Sequence, residues 1–124
     1  MKMLDAIRFQ EIYPEINQIK LPIQTAYKLS RIVSYISEQV EFYDQEISKI
    51  LQEYGQRNED GTLKISDDGT SIKIIEGKIK ECSDKIMELQ SIQIADPSYK
   101  IGISELDGLS LTLEQMNILL PFME

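Results

Sequence analysis

Between Leu21 and Gly55 the apolar residues Ala26, Leu29, Val33, Ile36, Val40, Tyr43, Ile47, Ile50 and Tyr54 recur at alternating steps of three and four, with polar residues between them. That spacing predicts one long helix over 21–55 carrying a narrow apolar seam. Pro22 suits the first helical turn, where a missing N–H costs nothing, and Gly55 follows the last periodic residue, where a left-handed cap is favoured. At a rise of about 1.5 Å per residue the helix is about 50 Å long, so its seam demands a partner helix from the same chain or from a second copy. A second run, Ile72, Ile75, Ile79, Cys82, Ile86 and Leu89, repeats the pattern over 72–91 and predicts that partner in an antiparallel hairpin. Gly77 is about 1 kcal/mol worse than alanine inside a helix, which favours a start near Ile75.

The segment 56–71 between the two runs holds the turn dipeptides Asp60-Gly61 and Asp68-Gly69 around the alternating Thr62–Ile65. It reads as a tip loop or a β-hairpin, with Thr62–Ser66 pairing against Thr70–Ile74 across Asp67, Asp68 and Gly69. Over 1–20, Met1–Arg8 alternates like a short strand, and Phe9, Ile12, Ile16 and Ile19 then follow at helical spacing, with Pro14 in the first turn or at a kink. Over 92–124, Ile92 and Ile94, then Tyr99, Ile101 and Ile103, suggest two short strands about Asp96-Pro97-Ser98. Thr112 with Gln115 forms a capping-box start for a last helix bearing Leu113, Met116, Leu119 and Leu120, which Pro121 ends. The apolar finish at Leu119, Leu120, Phe122 and Met123 is expected to dock.

The expected fold is therefore a single domain, 1–124, mainly α with a small β component (α+β). It consists of a long, coiled-coil-like antiparallel helical hairpin, a β-hairpin tip and a small terminal strand/helix module. Leu29, Val33, Ile36, Val40, Tyr43, Ile47, Ile50, Ile79, Ile86, Leu119 and Phe122 are the residues expected to form the core seam or a self-association surface.

Composition narrows the function. With 42% hydrophobic and 27% charged residues in 124, the chain has the balance of a folded protein. A net charge of −8 disfavours general binding to nucleic-acid phosphates or anionic lipid. No apolar run reaches membrane-spanning or signal-peptide length, so a soluble intracellular protein is expected. One cysteine excludes an internal disulfide.

Histidine is absent, and with it the side chain most used for proton transfer and transition-metal ligation. Glu38, Glu41, Asp44 and Glu46 fall off the seam and read as a solvated face. Cys82 sits at a seam position as a small hydrophobe, and Ser30, Ser34, Ser37 and Ser48 have no base to activate them. The acidic turns fail the spacing of a calcium loop. No catalytic residue, metal or cofactor is expected. Binding remains: Tyr27 and Tyr35 flank the seam of the long helix, and Lys20, Lys28 and Arg31 make a basic cluster at its start, with Lys28 and Arg31 spaced to share a face.

The stretch LPIQTAYKLSRIVSYISEQVEFYDQEISKILQEYG, the polar DG-containing tip, the second helix and the closing ISELDGLSLTLEQMNILLPFME together resemble a family of small bacteriophage proteins of unknown function, from about Leu21 onward. The resemblance implies a phage accessory protein of the host bacterial cytoplasm, or of the virion, and brings no active site with it. The expected function is non-enzymatic binding that inhibits or sequesters a host component, such as an anti-phage defence protein. A virion structural or assembly role is the first alternative and an oligomeric sponge for a small nucleotide signal the second. A homo-oligomer, dimer or larger, is expected, with a host protein or small anionic ligand as partner.

Overall fold

One uninterrupted helix, α2 (Ile23–Tyr54), runs through the middle of the chain, preceded by α1 (Met3–Ile16) and followed by α3 (Ile79–Gln90) and α4 (Leu113–Leu119). Short 3-10 turns occupy Ile103–Leu106 and Leu120–Phe122. The structure is a computed structural model describing residues 1–124. It contains no β-strand, so the protein is helical and the α+β expectation is corrected: pairing is confined to five isolated bridges. The backbone divides into two compact units, one formed by Met1–Glu41 with Ile92–Glu124 and the other by Phe42–Ser91.

In the first unit, Met3–Arg8 is helical where alternation over Met1–Arg8 suggested a strand. Met3, Ala6, Phe9 and Ile16 are buried at helical spacing. Asp5 accepts a hydrogen bond from the Lys2 backbone N–H at 2.8 Å, which satisfies a free donor at the helix start. Pro14 lies in the last turn instead of the first. There its ring leaves the carbonyl of the exposed Gln10 without its helical donor.

The buried face of α2 in this unit is Thr25, Leu29, Ile32, Ile36 and Val40. It packs with Ala6, Phe9, Ile16, Ile101, Leu119 and Phe122. Ala26, expected in the seam, is exposed, and Val33 is half-buried. The successive steps of four from Ile32 to Val40 keep the stripe on one side of a straight 3.6-residue helix, where a strict heptad would drift around it.

Residues 92–101 are tied at both ends. Met3 N–H donates to Ile92 O at 2.8 Å and Ile94 N–H to Met1 O at 2.9 Å; Ile101 N–H donates to Phe122 O at 2.9 Å, and Glu124 N–H to Ile101 O at 3.0 Å. These are single bridges, Lys2 with Gln93 and Ile101 with Met123, and not the two strands expected there. Thr112 and Gln115 exchange the reciprocal bonds of a capping box, at 2.9 and 3.0 Å, and start α4.

In the second unit the C-terminal part of α2 and α3 run antiparallel. Tyr43 receives a hydrogen bond from Gln90 at 3.3 Å, and Glu53 pairs with Lys85 at 3.6 Å. Ile50, Tyr54 and Cys82 form the small core, flanked by Ile74, Ile86 and Leu89. α3 begins at Ile79, not at Ile72 or Ile75, because Gly77 adopts φ +84°, outside any right-handed helix.

The tip is not a hairpin. Gly55 bridges Ile74, Arg57 bridges Leu63, and Ile65 bridges Ile72, each alone. Lys64 divides its backbone bonds between Gln56 and Lys73, and turns at Asn58–Gly61 and Ser66–Gly69 leave too few residues between them for a ladder. Nor is Gly55 a left-handed cap. Its φ is not positive, and glycine is required because a Cβ would lie 2.5 Å from the Leu51 carbonyl oxygen and 2.6 Å from Leu63 Cδ2.

Candidate functional site: a tyrosine–arginine cleft

In the first unit, the exposed side of α2 presents Tyr27, Arg31, Ser34 and Glu38, with Tyr35 half-buried beside them at the edge of the core. Ala95–Tyr99 runs beside this face in the opposite direction. The Tyr35 hydroxyl donates to the Ala95 carbonyl, and Tyr27 meets Tyr99 edge-on, with ring centroids 5.8 Å apart and planes at 85°. The lengths match, because eight helical residues rise about 12 Å and four extended ones about 13 Å. Between the two walls lies a cleft of about 340 Å³, lined by Arg31, Ser34, Tyr35, Glu38 and Ala95–Tyr99.

The outer wall is held in place by charge and by burial. Asp96 accepts from the Met1 ammonium at 3.0 Å and pairs with Lys100 at 3.5 Å, and Lys100 also donates to the Pro121 carbonyl at 2.9 Å. The ammonium hydrogen bond, followed by Lys100, keeps the Asp96 carboxyl below the usual carboxylate range. Pro97 is buried and fixes the direction of the chain at that point.

Both tyrosines next to the cleft titrate above the ordinary phenol. Tyr35 is pushed up by desolvation and then by the nearby Asp96 and Glu38 carboxylates. Tyr99 is pushed up chiefly by the Tyr27 hydroxyl, with Arg31 acting in the opposite sense. At neutral pH these phenols are therefore neutral hydrogen-bonding groups with apolar faces.

Arg31 stands one helical turn from both Tyr27 and Tyr35. It is exposed and belongs to none of the chain's ion pairs. Lys28, expected to share its face, instead pairs with Glu105 at 3.0 Å, and Glu105 also accepts from Gly102 N–H at 2.7 Å. The Gly102 bond first, and Lys28 next, lower the Glu105 pKa. Lys20 is exposed in the connection before α2 and does not line the cleft. Of the five residues proposed for binding, Tyr27, Arg31 and Tyr35 come together, Lys28 is committed to a structural pair, and Lys20 stands apart.

The seam residues fall in different settings. Leu29, Ile36, Val40, Leu119 and Phe122 are buried in the first unit with Val33 at their edge. In the second unit Ile50 is buried, Tyr43, Ile47 and Ile86 are half-buried, and Ile79 is 65% exposed. Sequence reasoning missed Tyr99, Ser98 and Asp96, because the break at Asp96-Pro97-Ser98 gives no hint of which helix face it will cross. Glu38 and Ser34 were passed over because isolated polar residues off a seam look like any solvated face.

No helix is long and apolar enough to cross a membrane. No family model, curated protein or solved structure matches the chain.

Proposed function

We propose that the protein is a non-enzymatic accessory protein of phage origin that acts by binding, and that the Tyr27–Arg31–Tyr35–Tyr99 cleft is where it holds a host protein. The observation that carries this reading is Arg31: an unpaired guanidinium set among tyrosines, on a surface whose opposite wall is pinned by three separate contacts. Tyrosine and arginine are the side chains that most often anchor protein interfaces, and a pre-set wall lowers the ordering cost of association. A partner loop presenting a carboxylate beside an apolar side chain suits this chemistry. The same reading takes the protein as a homo-oligomer, which the exposed apolar residues of α3 support.

A small nucleotide is the second reading. A volume of about 340 Å³ falls in the range of small-ligand sites, and tyrosine faces accept a base. It is the weaker of the two, because Lys28 is neutralised by Glu105 and Arg31 is the one unpaired cation lining the cleft.

Affinity capture from host lysate with the natural chain and with Arg31→Glu tests both. A host protein retained by the natural chain and lost with Arg31→Glu is expected. Equal retention by both would remove the cleft from the function. A small mass retained in native mass spectrometry, with no protein, would favour the nucleotide.

A further inference from the structure

The α2 side of the cleft is charged at both ends, with opposite signs. Arg31 and Glu38 both line it, both are exposed, and neither belongs to an ion pair of the chain. Seven residues of helix bring them back to within about 20° of one line and set them about 10.5 Å apart along it. Each charge stands near a phenol: Arg31 is close enough to Tyr99 to act on its titration, and Glu38 to act on that of Tyr35. Asp96, the other carboxylate at the Tyr35 end, is already paired with the Met1 ammonium and Lys100, so Glu38 is the free anion there. Between the two charges lies only the small Ser34.

That separation selects the backbone that can lie along the cleft. A helix does not fit: two turns of a rod about 10 Å across take up about 850 Å³, and the cleft holds about 340 Å³. In a β-strand, residues three apart reach about 10 Å but point to opposite faces. Polyproline II satisfies both distance and direction. With three residues per turn and a rise of about 3.1 Å, residues three apart share one face at about 9.3 Å. Aromatic-lined grooves are also the surfaces on which such segments dock.

Resting on the reading of this cleft as the place where a host protein is held, we infer that the segment entering it is a polyproline II stretch of that protein. It carries an acidic residue against Arg31 and a basic residue against Glu38, three positions apart. The residues between them lie on the rings of Tyr35 and Tyr99. Such a segment is extended before it binds, which lowers the ordering cost of association. The two charge pairs are exposed, so they set register and direction more than strength, and the rings supply the contact area.

Terminally blocked peptides containing Glu-Pro-Pro-Lys between flanking prolines test this, titrated into isotope-labelled protein and followed by amide NMR. Control peptides place the same two charges two or four positions apart, or replace both with glutamine. The Ser34 and Tyr99 amides should shift, and the Cys82 amide in the second unit should not. The three-residue spacing should bind about fivefold to tenfold tighter than the others, as two exposed ion pairs allow. Glu38→Lys and the milder Glu38→Gln should each remove that preference. Both replace an exposed side chain, so far-UV circular dichroism should be unchanged. Peptides that do not bind, or that bind without regard to spacing or to Glu38, overturn this inference. The underlying reading is scored separately, by the host protein captured from lysate. Its loss with Arg31→Glu keeps the cleft as the binding site even where the peptides fail, and its equal retention removes the cleft and this inference together.

Discussion

Phe9 and Phe122 meet with ring centroids 4.6 Å apart and planes inclined at 51°, joining α1 to the turn that ends the chain. Both rings are excluded from water, at 1% and 0% exposure. A tilted pair of this kind adds about 0.5–1.5 kcal/mol to the burial of each ring. Phe122→Ala should therefore lose about 3–5 kcal/mol, the range for deleting a buried aromatic. Urea unfolding should show this as a lower midpoint at unchanged slope. Leu120→Ala, two residues away and half in solvent, should be close to neutral.

Gly55 is fixed by space and not by backbone dihedral. A Cβ there would meet a carbonyl oxygen that cannot move without unwinding the end of α2. Gly55→Ala should cost about 1–3 kcal/mol, the usual range for overpacking. Hydrogen exchange should localise the damage to the amides of Gln56, Lys64 and Lys73, which bond one another beside it.

Asp68 folds the second turn of the tip. It accepts from the Ser66 hydroxyl and from both the N–H and the hydroxyl of Thr70, and these bonds lower its pKa from 3.8 to about 2. The charged form is the bonded form, so the stabilisation is complete above about pH 4 and is lost as pH falls through about 2. In NMR titration the Thr70 amide should shift across that window. Asp68→Asn should abolish the titration, and a Thr70 amide that moved only above pH 5 would contradict the assignment.

Burial pushes the Cys82 thiol above its ordinary 9.0. A protonated thiol in a packed core is a poor nucleophile. A colorimetric disulfide reagent at pH 8 should modify Cys82 about a hundredfold more slowly in the native protein than in urea, through local opening alone. Rapid stoichiometric labelling of the folded chain would show the second unit to be looser than its packing.

The long helix was legible because Pro22 and Gly55 punctuate an unbroken three-and-four pattern. The orientation of its N-terminal half was not. Thr25 and Ile32 are buried where Ala26 and Val33 were expected, because a heptad and a straight helix stay in phase for only a few turns. Ile32 was readable as an extra apolar residue; Thr25 was not, since nothing local marks a threonine for burial. The tip failed for a different reason. Its turns were correctly placed, but alternation over three or four residues does not say whether successive bonds go to one partner or to two, and Lys64 bonds to two. In the cleft, the half carried by α2 could be listed by helical arithmetic. The wall at Ala95–Tyr99 depends on contacts made across more than half the chain, which no spacing encodes.

The ties at residues 92–101 have a consequence for timing. One end of that segment is bonded to Met1 and Met3, and the other to Phe122 and Glu124. A chain emerging from the ribosome can form α2 and the α3 hairpin from neighbouring residues, but the outer wall of the cleft waits for Phe122 and Glu124 to arrive. Contacts so distant in sequence form late. A nascent chain short of Phe122 therefore displays Arg31 with no groove around it.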